Sequence, residues 1–167
     1  MPLKNIHQPD AIVVSDSVRL RKYDGHYEKF LTGYQDPYVY QNSEGIFDET
    51  KKPDLNYVKG MCEYLDNAGE LYFIEVREGD CFLSAGDVTV KAENPPIAIW
   101  TQKYRGAGIG TMVMQAVITR LKELGFSEIK GSAVFKWNVP SQKMHEKLGF
   151  RRVGETENSF LYDLDLK

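Results

Sequence analysis

Gly106, Gly108 and Gly110 stand within the stretch Gln102-Lys-Tyr-Arg-Gly-Ala-Gly-Ile-Gly110, and their spacing is the first sign of chemistry in the chain. Before them, Pro96-Ile-Ala-Ile-Trp-Thr101 is rich in the β-branched and aromatic residues that suit a buried strand. After them, Ile109, Val113, Ala116, Val117, Leu121 and Leu124 recur at helical spacing, with Gly125 as a stop. The glycines therefore fall where a strand turns into a helix. At such a junction the first backbone N–H groups of the helix lack internal partners, and the dipole places partial positive charge there. With no Cβ atoms in the way, those groups can hold a phosphate or pyrophosphate. Lys103 and Arg105 add positive charge beside them. A plain tight turn would also use glycines, so the flanking residues decide. No Lys-Ser/Thr pair follows, as a P-loop requires. The spacing Gly-x-Gly-x-Gly, late in the chain, also differs from the Gly-x-Gly-x-x-Gly of an early dinucleotide-binding unit.

Arg105, Gly108 and Gly110 instead match the pattern Gln/Arg-x-x-Gly-x-Gly/Ala. Further on, Asn138-Val-Pro-Ser-Gln-Lys-Met-His-Glu-Lys-Leu-Gly-Phe150 follows Asn-x-x-Ala/Ser-x-x-Leu-Tyr-Glu-Lys-x-Gly-Phe, except that Met144 and His145 replace Leu-Tyr. On these two motifs, in the expected order, the chain resembles the GNAT superfamily of acyl-CoA-dependent N-acyltransferases. The resemblance is clear over roughly residues 84 to 166 and holds in outline before that. It implies acetyl-CoA as co-substrate, with no metal. The backbone N–H groups of Arg105, Gly106, Ala107, Gly108, Ile109, Gly110 and Thr111 would hold its pyrophosphate. The strand around Ile99 and Trp100 would pair with the pantetheine arm, and its N–H groups could polarise the thioester carbonyl. Lys103 and Arg105 would lie near the phosphates. Asn138 would bind the pantetheine arm or order its turn, and Ser141 would sit at the start of the next helix, where it can act as a cap.

Acyl transfer to an amine needs a proton acceptor for the nucleophile and a proton, or its equivalent, for the leaving thiolate. His145 stands where the family often carries a tyrosine acid. An unperturbed imidazole is roughly a quarter cationic at neutral pH, enough to act as that acid. The strand over 97–101 has no acid, so the base is unassigned, with Glu75 and Asp87 on neighbouring strands as candidates. The resemblance places the acceptor site near Tyr38, Tyr40 and Phe47, where Glu44, Asp48 and Glu49 would favour a cationic amine such as a polyamine, an aminoglycoside or a protein N-terminus. No cysteine near either motif could carry an acyl group, which favours direct attack on acetyl-CoA by a primary amine in a ternary complex. The alternative is a catalytically silent acyl-CoA-binding module, kept open by the missing tyrosine and the missing strand acid.

The surrounding chain is consistent with one domain of 167 residues, 42% hydrophobic and 27% charged. A net charge of −3 argues against a nucleic-acid surface. No apolar run is long enough to span a bilayer, and Ala11-Ile-Val-Val14 is too short for a signal-peptide core. A cytoplasmic protein is expected, and the sequence leaves room for a homodimer. Cys62 and Cys81 read as packed, reduced thiols, and His7, His26 and His145 are too scattered for a zinc site.

Residues 1–16 read as a loosely ordered lead-in to a domain over 17–167. Residues 18–23 alternate as a strand, and Asp24 can cap a helix with Tyr27, Phe30, Leu31 and Tyr34 on one face. Residues 35–53 read as an irregular, aromatic-bearing loop, and Pro53-Asp54 opens a second helix. Strands follow at 71–76, 81–90 and 96–101, then the long helix, a strand at 128–135, a short helix at 141–148, and strands at 151–154 and 160–166. The expectation is an α/β (α+β) domain, a single mixed sheet of six to seven strands with helices on both faces, which matches the GNAT arrangement.

Overall fold

The computed structural model describes residues 7–167. The sheet begins with β1 (Ala11–Val13) and β2 (Val18–Lys22). Three helices follow, α1 (Leu31–Tyr34), α2 (Pro37–Glu44) and α3 (Leu55–Ala68). Then come β3 (Glu70–Glu78), β4 (Cys81–Val90) and β5 (Ile97–Ile99), which lead into α4 (Ile109–Glu123). The chain ends with β6 (Glu128–Phe135), α5 (Val139–Lys147), β7 (Arg151–Glu155) and β8 (Ser159–Asp165).

Side-chain alternation along β3 explains the layers. Tyr72, Ile74 and Val76 join Val18 and Leu20 under Val113, Met114, Val117 and Leu121 of α4. Leu71 and Phe73 point the other way, into a second cluster with Phe30, Val58, Cys62, Leu65 and Trp100. Helices therefore cover both faces. Each fully buried aliphatic side chain here contributes about 1.5–3 kcal/mol relative to exposure. A polar clamp adds to this: Glu70, 2% exposed, accepts two hydrogen bonds from Arg120 of α4 at 3.0 and 2.8 Å and one from Tyr72 at 2.9 Å.

The α/β single-domain class expected from the sequence holds, but the eight strands among the described residues hydrogen-bond as two antiparallel sheets, β1-β2-β3-β4-β5 and β6-β8-β7, in place of one mixed sheet of six to seven. A single isolated parallel bridge, Glu93 with Lys130, joins them among the described residues. It is reinforced where Asn94 N–H donates to Lys130 O and Lys130 N–H to Ala92 O, both at 2.9 Å. Pro95 and Pro96 follow immediately, and neither has an N–H to continue the pairing. From that point β5 and β6 part company and a gap opens between them.

Other differences from the sequence reading are local. Residues 37–44 are helical: Asp36 accepts from Tyr38 N–H at 2.8 Å as an N-cap, Pro37 opens the helix, and Gly45 closes it in the left-handed region. Asp24 caps no helix; its carboxylate accepts from His26 N–H at 3.1 Å in the turn before a short 3-10 segment. Within the stretch read as a lead-in, Ala11–Val13 pairs with β2, while residues 1–6 lie outside the described residues. Cys62 is buried as expected, but Cys81, at the start of β4, is exposed.

Candidate active site

The glycine turn enters α4 through two left-handed residues, Gly106 at φ 76° and Gly108 at φ 81°. Gly108 is the N-cap and has no side chain to satisfy the first helical N–H groups. Met112 N–H is the first to find an intrahelical acceptor, Gly108 O at 3.1 Å, which leaves Ile109, Gly110 and Thr111 with outward N–H groups. A Cβ built on Gly106 or Gly108 would meet nothing within 4 Å, so the space beside the turn is open. It is a cavity of about 230 Å³, floored by the turn and walled by Ile97, Ala98 and Ile99 of β5.

Strand β5 is the edge of its sheet. Its register pairs Ala98 with Asp87, while Pro96 O and Trp100 N–H bond Thr89 N–H and Ala85 O. By the alternation of an antiparallel ladder, the backbone groups of Ile97 and Ile99 then face the gap. Ile99 O is taken by Arg105 Nε at 3.1 Å, and Trp100 O by Arg105 Nη2 at 2.8 Å. Arg105 is thus a brace for the end of β5, with its guanidinium 4.1 Å from the ring centroid of Tyr38.

Helix α2 lies across the gap. Tyr38 touches the β5 side through Arg105, while Gln41 O accepts from Trp137 Nε1 at 2.9 Å and Asn42 O from Asn138 Nδ2 at 3.4 Å. Asn42 and Ser43 line the first cavity and also a second one, of about 350 Å³, on the far side of the gap. Ile97, Asn138 and Ser141 are shared as well, so the two cavities meet at the splayed strands.

His145 lines the second cavity and is 4% exposed. Its Nδ1 lies 2.7 Å from Ser141 O, which fixes the proton on Nδ1 and leaves Nε2 with a free lone pair. Burial lowers its pKa below the ordinary 6.5, a shift that the Ser141 contact only partly opposes. Burial thus disfavours the resting cation that the sequence reading took as the acid, and Nε2 is the ring nitrogen left to take up a proton.

A second buried titratable group lies behind β5. Asp87, 1% exposed, takes two hydrogen bonds on Oδ1, from Tyr34 Oη and Trp100 Nε1, both at 2.8 Å, while Oδ2 has no partner. Burial pushes it up to about 7 against those two bonds. Glu75, the other candidate base, is held between Arg19 and Arg21 at 2.7 and 2.6 Å and lines neither cavity.

Residues 34–150 match the model of the acetyltransferase (GNAT) family. The chain belongs to that family. No curated protein matches the sequence. Solved structures share its fold. A domain from Methanocaldococcus jannaschii is 23% identical with a TM-score of 0.76, over 90% of this chain and 99% of that one. The microcin C7 self-immunity acetyltransferase MccE, solved with acetyl-CoA and AMP, is 14% identical with a TM-score of 0.71, over 95% and 97%. RimL, the ribosomal L7/L12 α-N-protein acetyltransferase solved with coenzyme A, is 14% identical with a TM-score of 0.71, over 93% and 97%.

Against this GNAT frame, Ile99, Arg105, Gly106, Gly108, Ile109, Gly110, Thr111, Asn138 and Ser141 line the first cavity. Ala107 does not line it. Lys103 is drawn away to Glu78 at 2.6 Å, and the Trp100 ring turns into the core, where a Cβ on Gly33 would stand 2.4 Å from it. Asn138, not Ser141, caps α5, accepting from Ser141 N–H at 3.3 Å. Tyr38, expected near the acceptor, lines the first cavity, whereas Val39, Asn42 and Ser43 of α2 were missed because residues 35–53 read as a loop. The Asp36-Pro37 cap and Gly45 were the signal that could have found the helix.

Proposed function

We propose that this GNAT protein transfers an acetyl group from acetyl-CoA to a primary amine by direct attack in a ternary complex. The observation that carries the reading is the meeting of the two cavities at the β5–β6 gap, with an open helix N-terminus on one side and the free Nε2 of His145 on the other. The residues fit the co-substrate. The N–H groups of Ile109, Gly110 and Thr111 are open to anionic oxygen, and the outward backbone groups of Ile97 with the N–H of Ile99 offer pairing to an amide-bearing arm. Acetyl-CoA, when bound, supplies the thioester. An acceptor arriving as an ammonium gives one proton to His145 Nε2 and becomes nucleophilic. As the amide forms, the nitrogen loses its second proton to water, and the imidazolium can return the first to the departing thiolate. Cys62 is buried on the other sheet face and Cys81 is exposed on β4, away from either cavity, which supports direct transfer over an acyl-enzyme.

The test is release of free CoA thiol from acetyl-CoA over a panel of amines and peptides, with calorimetric binding of CoA alongside. Amine-dependent release is expected. Tight CoA binding with no release from any acceptor would replace the transferase with a silent binding module.

A further inference from the structure

The second cavity carries two charged side chains of opposite sign. Glu44 sits at the C-terminal end of α2 and Lys91 just after β4. Neither forms a salt bridge among the described residues, with each other or with any third group. Glu44 accepts from Tyr57 Oη, and burial raises its pKa. Lys91 Nζ has only the Tyr64 hydroxyl at 3.5 Å and the Tyr64 ring, 5.3 Å to the centroid. On the Lys91 wall, Asn94 uses its Oδ1 for Ala133 N–H at 2.9 Å, which leaves its amide N–H₂ as a further donor.

The acids that suggested a purely cationic acceptor are not arranged for one. Asp48 turns back to Thr50, accepting from its N–H at 3.0 Å and its hydroxyl at 2.7 Å, and neither Asp48 nor Glu49 lines the cavity. What remains is one carboxylate, one ammonium and a neutral imidazole on a single wall system of about 350 Å³, within the range of small-molecule sites. With no carboxylate beside it, the Lys91 ammonium on the cavity wall is available to an anionic group that a ligand brings. A single Lys with an amide beside it balances one negative charge; no arginine fork is present for a phosphate.

We infer that the acceptor is a small zwitterion of the free amino-acid class, its amino group toward Glu44 and His145 and its carboxylate against Lys91 and Asn94. This rests on the transferase reading and narrows it. A polyamine would leave Lys91 opposed by like charge, and a peptide N-terminus would bring no carboxylate to it.

The experiment compares free L-amino acids with their C-terminal amides and with spermidine, in CoA release and in calorimetric binding to the acetyl-CoA-loaded protein. The acid is expected to exceed its own amide in kcat/KM and in affinity by about tenfold, the order of one charge-assisted contact. Lys91→Met should bring that ratio close to one by raising KM for the acid, and Lys91→Arg should restore much of it. Amides that match or exceed acids in the wild type, or a ratio unmoved by Lys91→Met, would overturn the inference. Without turnover, the transferase reading fails, and the acid-to-amide ratio in binding alone still decides whether Lys91 recognises a carboxylate.

Discussion

His145 Nδ1 hydrogen-bonds the carbonyl of Ser141, one helical turn back in α5, at 2.7 Å. That bond places the proton on Nδ1 and leaves the lone pair at Nε2, and burial disfavours the charged ring. His145→Ala should lower kcat by about 10²–10⁴, the usual worth of a positioned proton acceptor, with little change in CoA affinity. Because burial depresses the pKa, kcat at saturating substrates should fall only as the pH drops below the ordinary histidine value near 6.5, and should be flat above it. A kcat–pH profile checks both, and a limb at or above 6.5 would contradict the assignment.

Gly108 holds φ at 81° beside open space, so an added methyl meets no neighbour but strains the backbone. Gly108→Ala should cost about 1–2 kcal/mol from the left-handed conformation. Tilting the free N–H groups of α4 should also raise KM for acetyl-CoA more than it lowers kcat. Steady-state kinetics with a varied co-substrate gives the split.

Asp87 is the pH-sensitive point of the core. Its folded pKa, about 7, lies above the ordinary carboxylate value, so its contribution to stability is fully present below that ordinary value and is lost as pH rises through about 7. Asp87→Asn keeps an oxygen for Tyr34 and Trp100 and removes the buried charge. Urea unfolding should show the variant roughly 1–3 kcal/mol more stable than the wild type at pH 8, with the difference shrinking or reversing toward pH 4.

Arg120→Ala leaves Glu70 buried with only Tyr72 for company. Breaking one side of such a pair costs about 3–5 kcal/mol. Chemical denaturation should register that loss, while Arg120→Ala with Glu70→Met should recover most of it.

The parts of the site that were legible in the sequence are those built from neighbours in the chain. A strand, a glycine turn and an amphipathic helix announce the cradle at 106–111, and the Asn138–Phe150 motif places His145. The illegible parts come from distant segments. Nothing near Lys103 shows that Glu78 will take its charge, and nothing near His145 shows how deeply it is buried. Asn42 and Lys91 reach the cavities only because α2 crosses the gap and the linker after β4 is tied to β6. The sheet count differed because two prolines, unremarkable in a connecting segment, fall where pairing would otherwise have continued.

The two sheets meet as the blades of a clothes-peg, sprung at Glu93 and Lys130 and held apart by Pro95 and Pro96. Such a molecule arrives already open, with no internal ladder to break before it can grip. Any guest that pairs with the bare rim of β5 becomes, for its stay, a borrowed strand. Its departure then returns the protein to a less tightly fastened state, so the melting temperature is a gauge of how full the peg is.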